Sequence, residues 1–195
     1  MDAKRWRRYL GSQPSHALSQ DAPHQWGTLE ALGNSPVRDI LPRVHKVLDV
    51  GCGDGWTMEQ LQEIGKACVG LTIASEDASA AARRKLNIVF GDMHVLPFRA
   101  KAFDLVWMRH TLEHSIAPYI VLCEANRVLN AGGYLFVAMP REDSNQWLVC
   151  DVHFSLLTRP QTQELLRKTS FRCVHDWLPI DEQCYLAQKV GDKAV

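Results

Sequence analysis

An acidic residue, Asp49, stands two positions ahead of three glycines at alternate positions, Gly51, Gly53 and Gly55, with Cys52 inside the turn they define. Glycine lets the backbone turn through left-handed dihedrals and approach a ligand where a Cβ would block it. Val47, Leu48 and Val50 are apolar and suit a buried parallel strand running into the turn. A helical pattern carrying Met58, Leu61 and Ile64 follows at once, so its unpaired N–H groups face back toward the glycines and suit an anionic group. A dinucleotide fingerprint would need its third glycine one residue later, where Trp56 stands. Asp49 would repel a pyrophosphate but suits a ligand carrying an ammonium group. A glycine-rich turn with no ligand is the bland alternative.

A second set of reactive side chains lies downstream. His110, Glu113 and His114 match the inverted zinc-peptidase spacing H-x-x-E-H. On a helix the two histidines would share a face and could hold zinc, but the segment directly leaves a strand and no third ligand is evident nearby. No metal is therefore expected. Histidine titrates near neutral pH and suits a general base. His110, His114 and His153 are the candidates for that role, with Glu113 as partner or orienter. For each histidine taken alone, a hydrogen-bonded structural role is equally open.

These side chains need a scaffold, and the hydrophobic pattern supplies one. Strands are predicted at Lys46–Val50, Ala67–Leu71, Asn87–Phe90, Phe103–Trp107 and Tyr134–Ala138. Helices are predicted near Trp56–Ile64, Glu76–Lys85 and Ala117–Leu129, the last closed by Asn130-Ala131-Gly132-Gly133. A further helix at Gln161–Thr169 precedes strands at Phe171–Trp177 and Cys184–Gln188. Regular alternation implies a doubly wound, mostly parallel α/β sheet of seven strands with helices on both faces. The last two strands are too close for a crossover helix and should pair antiparallel. Ligands in such sheets bind outside the carboxyl ends of the strands.

Four segments carry a family resemblance. Asp49 with Gly51, Gly53 and Gly55 resembles motif I of the class I S-adenosylmethionine-dependent methyltransferases. Gly91-Asp92 followed by Leu96-Pro97-Phe98 resembles their G-D-x-x-x-L-P-F segment. Leu112-Glu113-His114 after Phe103-Asp104-Leu105-Val106, and Arg127-Val128-Leu129 before Gly132-Gly133, resemble the ubiquinone and menaquinone biosynthesis type. The resemblance spans about residues 44 to 140 and implies the Rossmann-like methyltransferase fold with S-adenosylmethionine as cofactor. It implies that Asp49, Gly51, Cys52, Gly53 and Gly55 cradle the methionine end. Thr72, with Ile73 and Glu76, would meet the ribose. Asp92 would accept from the adenine amino group, the Met93 N–H would address a ring nitrogen, and Arg109 would complete the cofactor set. The family usually has Asp or Glu where Thr72 stands, and Gly-Phe where this chain has Ser170-Phe171.

Bulk properties narrow the partners. The 195 residues carry 22 basic and 22 acidic side chains, so no net field steers the chain toward nucleic acid or an anionic membrane. No apolar run reaches the roughly 20 residues of a bilayer span. Six cysteines without a C-x-x-C pair read as free thiols in a reducing cytoplasm. Residues 1–40, basic and aromatic at Lys4–Tyr9 and broken by prolines, read as an arm over the site, with a surface-binding basic patch or a solvated terminus as the alternatives, and 41–195 as the catalytic domain. The arm, residues 109–118 and residues 141–158 would roof an acceptor pocket, with Trp6, Trp26 and Trp147 as aromatic walls and Trp107 in the core.

The expectation is methyl transfer to oxygen or nitrogen, less readily carbon, of a small or medium-sized acceptor. A cofactor-binding member of the fold that regulates a partner without catalysis is the alternative. Nicotinamide dehydrogenases fit the glycine spacing less well. Nucleic-acid methylation lacks an Asn/Asp-Pro-Pro-Tyr segment. Oligomeric state is left open.

Overall fold

A computed structural model of the chain describes residues 33, 35–143, 150–179 and 182–193. Seven strands form one sheet: β1 (Lys46–Val50), β2 (Ala67–Thr72), β3 (Ile88–Phe90), β4 (Phe103–Arg109), β5 (Leu129–Pro140), β6 (Phe171–Trp177) and β7 (Glu182–Lys189). Their order across the sheet is β3-β2-β1-β4-β5-β7-β6. β1 to β5 run parallel, and β7 is inserted antiparallel between β5 and β6. The expected mostly parallel sheet with an antiparallel terminal pair is what forms.

Strand alternation divides the core into two layers. Leu48, Val50, Val106, Met108, Leu135 and Val137 face a layer completed by helix Pro118–Val128 and by Leu166 of helix Arg159–Lys168. Val47, Leu105, Trp107, Phe136 and Ala138 face the other layer, with Met58 and Leu61 of helix Trp56–Glu63. A short helix, Pro36–Ile40, adds Val37 and Ile40 to that second layer. In chain order these helices are α1 (Pro36–Ile40), α2 (Trp56–Glu63), α3 (Ser75–Arg83), α4 (Pro118–Val128) and α5 (Arg159–Lys168). Burial of Val37 and Ile40 extends the packed domain ahead of residue 41.

Two local features differ from the pattern reading. The Asn130–Gly133 segment is part of β5, because Asn130 hydrogen-bonds the Asp104 carboxylate at 2.7 Å and the β4–β5 register shifts between Phe103 and Leu105. A Cβ on Gly133 would sit 3.1 Å from the Asp104 carbonyl oxygen, so any larger residue would crowd the backbone there. Helix α5 begins earlier than expected, because Thr158 and Gln161 close a reciprocal capping box around its first turn. Among the described residues, no helix is long and apolar enough to cross a membrane, and all six cysteines are free.

Candidate active site

The strand order reverses between β1 and β4, and the space beyond their carboxyl ends is where such a sheet presents a ligand site. β1 ends in the glycine turn. Gly51, Gly53 and Gly55 all have positive φ, at 75°, 54° and 87°. The Gly51 and Cys52 N–H groups donate to the Leu71 carbonyl, and Gly55 N–H donates to Cys52, so the turn is tied to the end of β2. A Cβ on Gly51 would lie 2.3 Å from Thr111 Oγ1. Thr111 itself donates to the Val50 carbonyl at 2.9 Å and reaches the Arg109 carbonyl at 3.1 Å, clasping the ends of β1 and β4. Asp54 caps the turn outward: it accepts from Trp56 N–H and pairs with Arg84 at 3.2 Å.

Asp49 is 3% exposed, and its Oδ2 is buried without a hydrogen-bond partner. Burial pushes its carboxyl up to about 7. Its register partner on β4 is Trp107, whose indole N–H is likewise buried and unsatisfied. Trp107 is otherwise a core residue, as expected, packed on the Phe136 ring at 4.1 Å. An unpaired carboxylate in an apolar strand is costly unless a cation compensates it.

The remaining cofactor candidates divide. Thr72 is buried, and its hydroxyl oxygen accepts from Ala74 N–H at 3.1 Å, which shapes the turn into α3. Ile73 is half-buried, whereas Glu76 is exposed and accepts from the Ser75 hydroxyl. Asp77, one residue further, is half-buried; burial and then the charges of Asp54 and Glu76 raise its carboxyl pKa. The Asp77 charge also acts on Cys52 in the glycine turn. Asp92 and Met93 follow β3 half-buried, with Met93 against the core and Asp92 Oδ1 2.7 Å from His94 Nδ1.

Beyond β4 the candidate bases separate. His110 has φ +50°, a left-handed backbone that turns it away from the strand. Its Nδ1 lies 3.2 Å from Glu113 and its Nε2 2.9 Å from Glu182, which also pairs with Arg109. Burial disfavours the imidazolium, but the two carboxylates outweigh it and push His110 up to about 9. Burial likewise opposes the Glu182 charge, yet His110 and Arg109 hold that carboxyl at about 2. Glu113 is 1% exposed; His110 and His114 overcome its burial and keep it below the usual carboxylate range.

His110 and His114 do not converge, because only a single 3-10 turn, Leu112–His114, spans the segment. His114 faces the other way: its Nδ1 lies 3.0 Å from the Val152 carbonyl and its ring meets His153 edge-on at 4.9 Å. Glu113, His114 and His153 form the group whose ligand atoms lie within 4.8 Å of one another. Phe154 and Ser155 N–H groups donate to the Glu113 carbonyl, which seats the 150–158 segment on this turn. Trp6, Trp26, Trp147 and the proposed arm, up to residue 32, lie outside the described residues.

Sequence reasoning missed Glu182, Asp77 and His94. Glu182 had at most a partial signal: β7 begins two residues ahead of the expected Cys184, and only that pairing places its first residue at the carboxyl end of the parallel strands. His94 and Asp77 carried none.

Residues 48–137 match the methyltransferase-domain family. Over 103 residues the chain is 33% identical to malonyl-[acyl-carrier protein] O-methyltransferase of Legionella pneumophila, covering 49% of this chain and 36% of that protein. Over 139 residues it is 31% identical to demethylmenaquinone methyltransferase of Mycolicibacterium paratuberculosis, covering 71% of this chain and 57% of that protein. The chain thus spans between 36% and 57% of the length of these two curated relatives. A solved S-adenosylmethionine-dependent methyltransferase from Archaeoglobus fulgidus superposes with a TM-score of 0.65 at 15% identity, covering 84% of this chain and 99% of that one.

Proposed function

We propose that this chain is an S-adenosylmethionine-dependent methyltransferase that methylates a small or medium-sized acceptor at oxygen or nitrogen, a reading supported by the match of residues 48–137 to the methyltransferase-domain family. The observation that carries the reading is Asp49 Oδ2, a buried carboxylate oxygen without a partner, at the switch point of the sheet. The residues fit the cofactor. Asp49 would offer the counter-charge for an ammonium, the glycine turn would let backbone approach it, and Asp92 would accept from the adenine amino group.

When bound, S-adenosylmethionine would supply an electrophilic methyl group for in-line transfer to the acceptor, with the neutral thioether S-adenosylhomocysteine as leaving group. The protein's part is to orient both reactants and to receive the acceptor's proton. The hydrogen bond from Nδ1–H of His114 to the Val152 carbonyl fixes that tautomer, so Nε2 is the basic nitrogen of the neutral ring. We assign the base role to His114, with His153 beside it. The Glu113 carboxylate stabilises the imidazolium that proton uptake creates. His110, both nitrogens engaged by carboxylates, orients Glu113 and takes no proton. An oxygen acceptor is preferred, in keeping with the name of the malonyl carrier-protein relative.

The non-catalytic reading rests on Thr72, which brings no carboxylate to the ribose and spends its oxygen on Ala74. Thermal unfolding with saturating S-adenosylmethionine, S-adenosylhomocysteine or NAD tests the cofactor. At 100 times Kd a ligand stabilises by about 2.7 kcal/mol, a shift of roughly 5–10 °C at this size. Shifts with the first two and not NAD are expected; no shift with either would end the proposal. Turnover on a panel of hydroxylated acceptors then separates catalysis from binding alone.

A further inference from the structure

Asp92 is not held by the backbone alone. Its Oδ1 receives two donors from one residue, the His94 N–H at 2.9 Å and the His94 ring Nδ1 at 2.7 Å. The other ring nitrogen, Nε2, lies 2.8 Å from Ser115 Oγ. Ser115 is completely buried and His94 nearly so. Ser115 Oγ also accepts the Ala117 N–H at 3.0 Å, at the cap of α4. Those contacts fix the direction of every proton. An Nδ1 facing a carboxylate at 2.7 Å carries the hydrogen, so in the neutral ring Nε2 accepts and the Ser115 hydroxyl donates. The chain therefore runs one way, from the cap of α4 through Ser115 and His94 into Asp92.

We propose that His94 and Ser115 are a positioning relay that fixes the Asp92 carboxylate for recognition of the adenine amino group, which rests on the cofactor reading above. Neither residue reaches a ligand from its buried place; both act through Asp92. A carboxylate locked by two donors on one oxygen loses little rotamer freedom when a base docks, so the relay acts by pre-organisation. It also discriminates. A 6-amino purine donates to the oriented carboxylate, while a 6-oxo purine presents an acceptor to it and leaves both groups unsatisfied.

The test is calorimetric titration of S-adenosylhomocysteine and of S-inosylhomocysteine, its 6-oxo counterpart, with the whole chain. Wild type should prefer the adenine compound by about tenfold or more, the loss of one charge-assisted hydrogen bond. In His94→Ala the affinity for S-adenosylhomocysteine should fall about fivefold, with the 6-oxo compound unchanged within about twofold. Ser115→Ala should shrink the preference less, and it serves as the reporter if His94→Ala does not fold. His94→Asn, whose amide nitrogen sits near the position of Nδ1, should restore part of the preference. A preference equal to wild type in both alanine variants, or a parallel loss for both compounds, would make His94 a packing residue and overturn the relay. Wild type that binds neither compound would instead remove the cofactor reading, and the relay with it.

Discussion

At Asp49 one carboxylate sets opposite demands on folding and on binding. Burial raises its pKa from 3.8 to about 7 in the ligand-free chain. A group whose folded pKa lies above its unfolded value favours folding when protonated; that contribution is present below about 4 and is lost as pH rises through 7. Asp49→Asn, neutral throughout, should therefore unfold at higher denaturant than wild type at pH 8, by a few kcal/mol, with the gap closing toward pH 4. Binding runs the other way. An ammonium needs the ionised carboxylate, so S-adenosylhomocysteine should tighten by up to about tenfold per unit as pH rises toward 7 and then level off. The asparagine variant should lose both the slope and about 100-fold in affinity. Calorimetry at pH 5.5, 6.5 and 7.5 measures this, and a flat wild-type profile would show that Asp49 does not meet the ammonium.

Between elements, the ends of β4 and β7 and the 3-10 turn are joined by Arg109, Glu182, His110 and Glu113. Their charges stabilise the fold over a bounded pH range. His110, raised to about 9, contributes below 6.5 and ceases to as pH climbs through 9; Glu182, lowered to about 2, contributes above 4.5 and ceases to as pH drops through 2. The cluster's own contribution should therefore be greatest between about pH 4.5 and 6.5 and fall on both sides, superimposed on the loss that Asp49 brings between about pH 4 and 7. Glu182→Gln removes the carboxylate that Arg109 and His110 share and should lose about 3–5 kcal/mol at pH 6, with an earlier alkaline fall because His110 loses one of its two carboxylate partners. Equal pH profiles for variant and wild type in denaturant titrations would mean that the cluster does not bear on stability. The network also marks where sequence reading stops. Asp49 and the glycines were legible because their spacing is local and the backbone demands it. Glu182 meets His110 across 72 residues, and only the antiparallel pairing of Pro140 with Glu182 brings them together. The left-handed turn at His110, which separates it from His114, has no local sequence signal at all.

Across the whole molecule, the polarity of the sheet separates chemistry from anchoring. Every strand of the parallel set delivers its carboxyl end to the site, and β7, running back, delivers its first residue there and its last to the opposite edge. That last residue, Lys189, is buried, and donates to the Asn126 and Leu129 carbonyls at 2.7 and 3.0 Å while pairing with Asp192. Asn126 in turn donates to the Thr169 and Gly191 carbonyls, so α4, the end of α5 and the segment after β7 close on one another. The alternation that made the seven strands readable says nothing of this closure, since a lysine at the end of a strand ordinarily reads as solvated. Lys189→Met keeps the aliphatic stem but leaves two buried carbonyls unsatisfied, and should cost about 2–3 kcal/mol in denaturant unfolding. The site lies some 20 Å away along the strand, so S-adenosylhomocysteine affinity should stay within about twofold of wild type. Loss of affinity in step with stability would instead show that the two ends of the sheet move as a single unit.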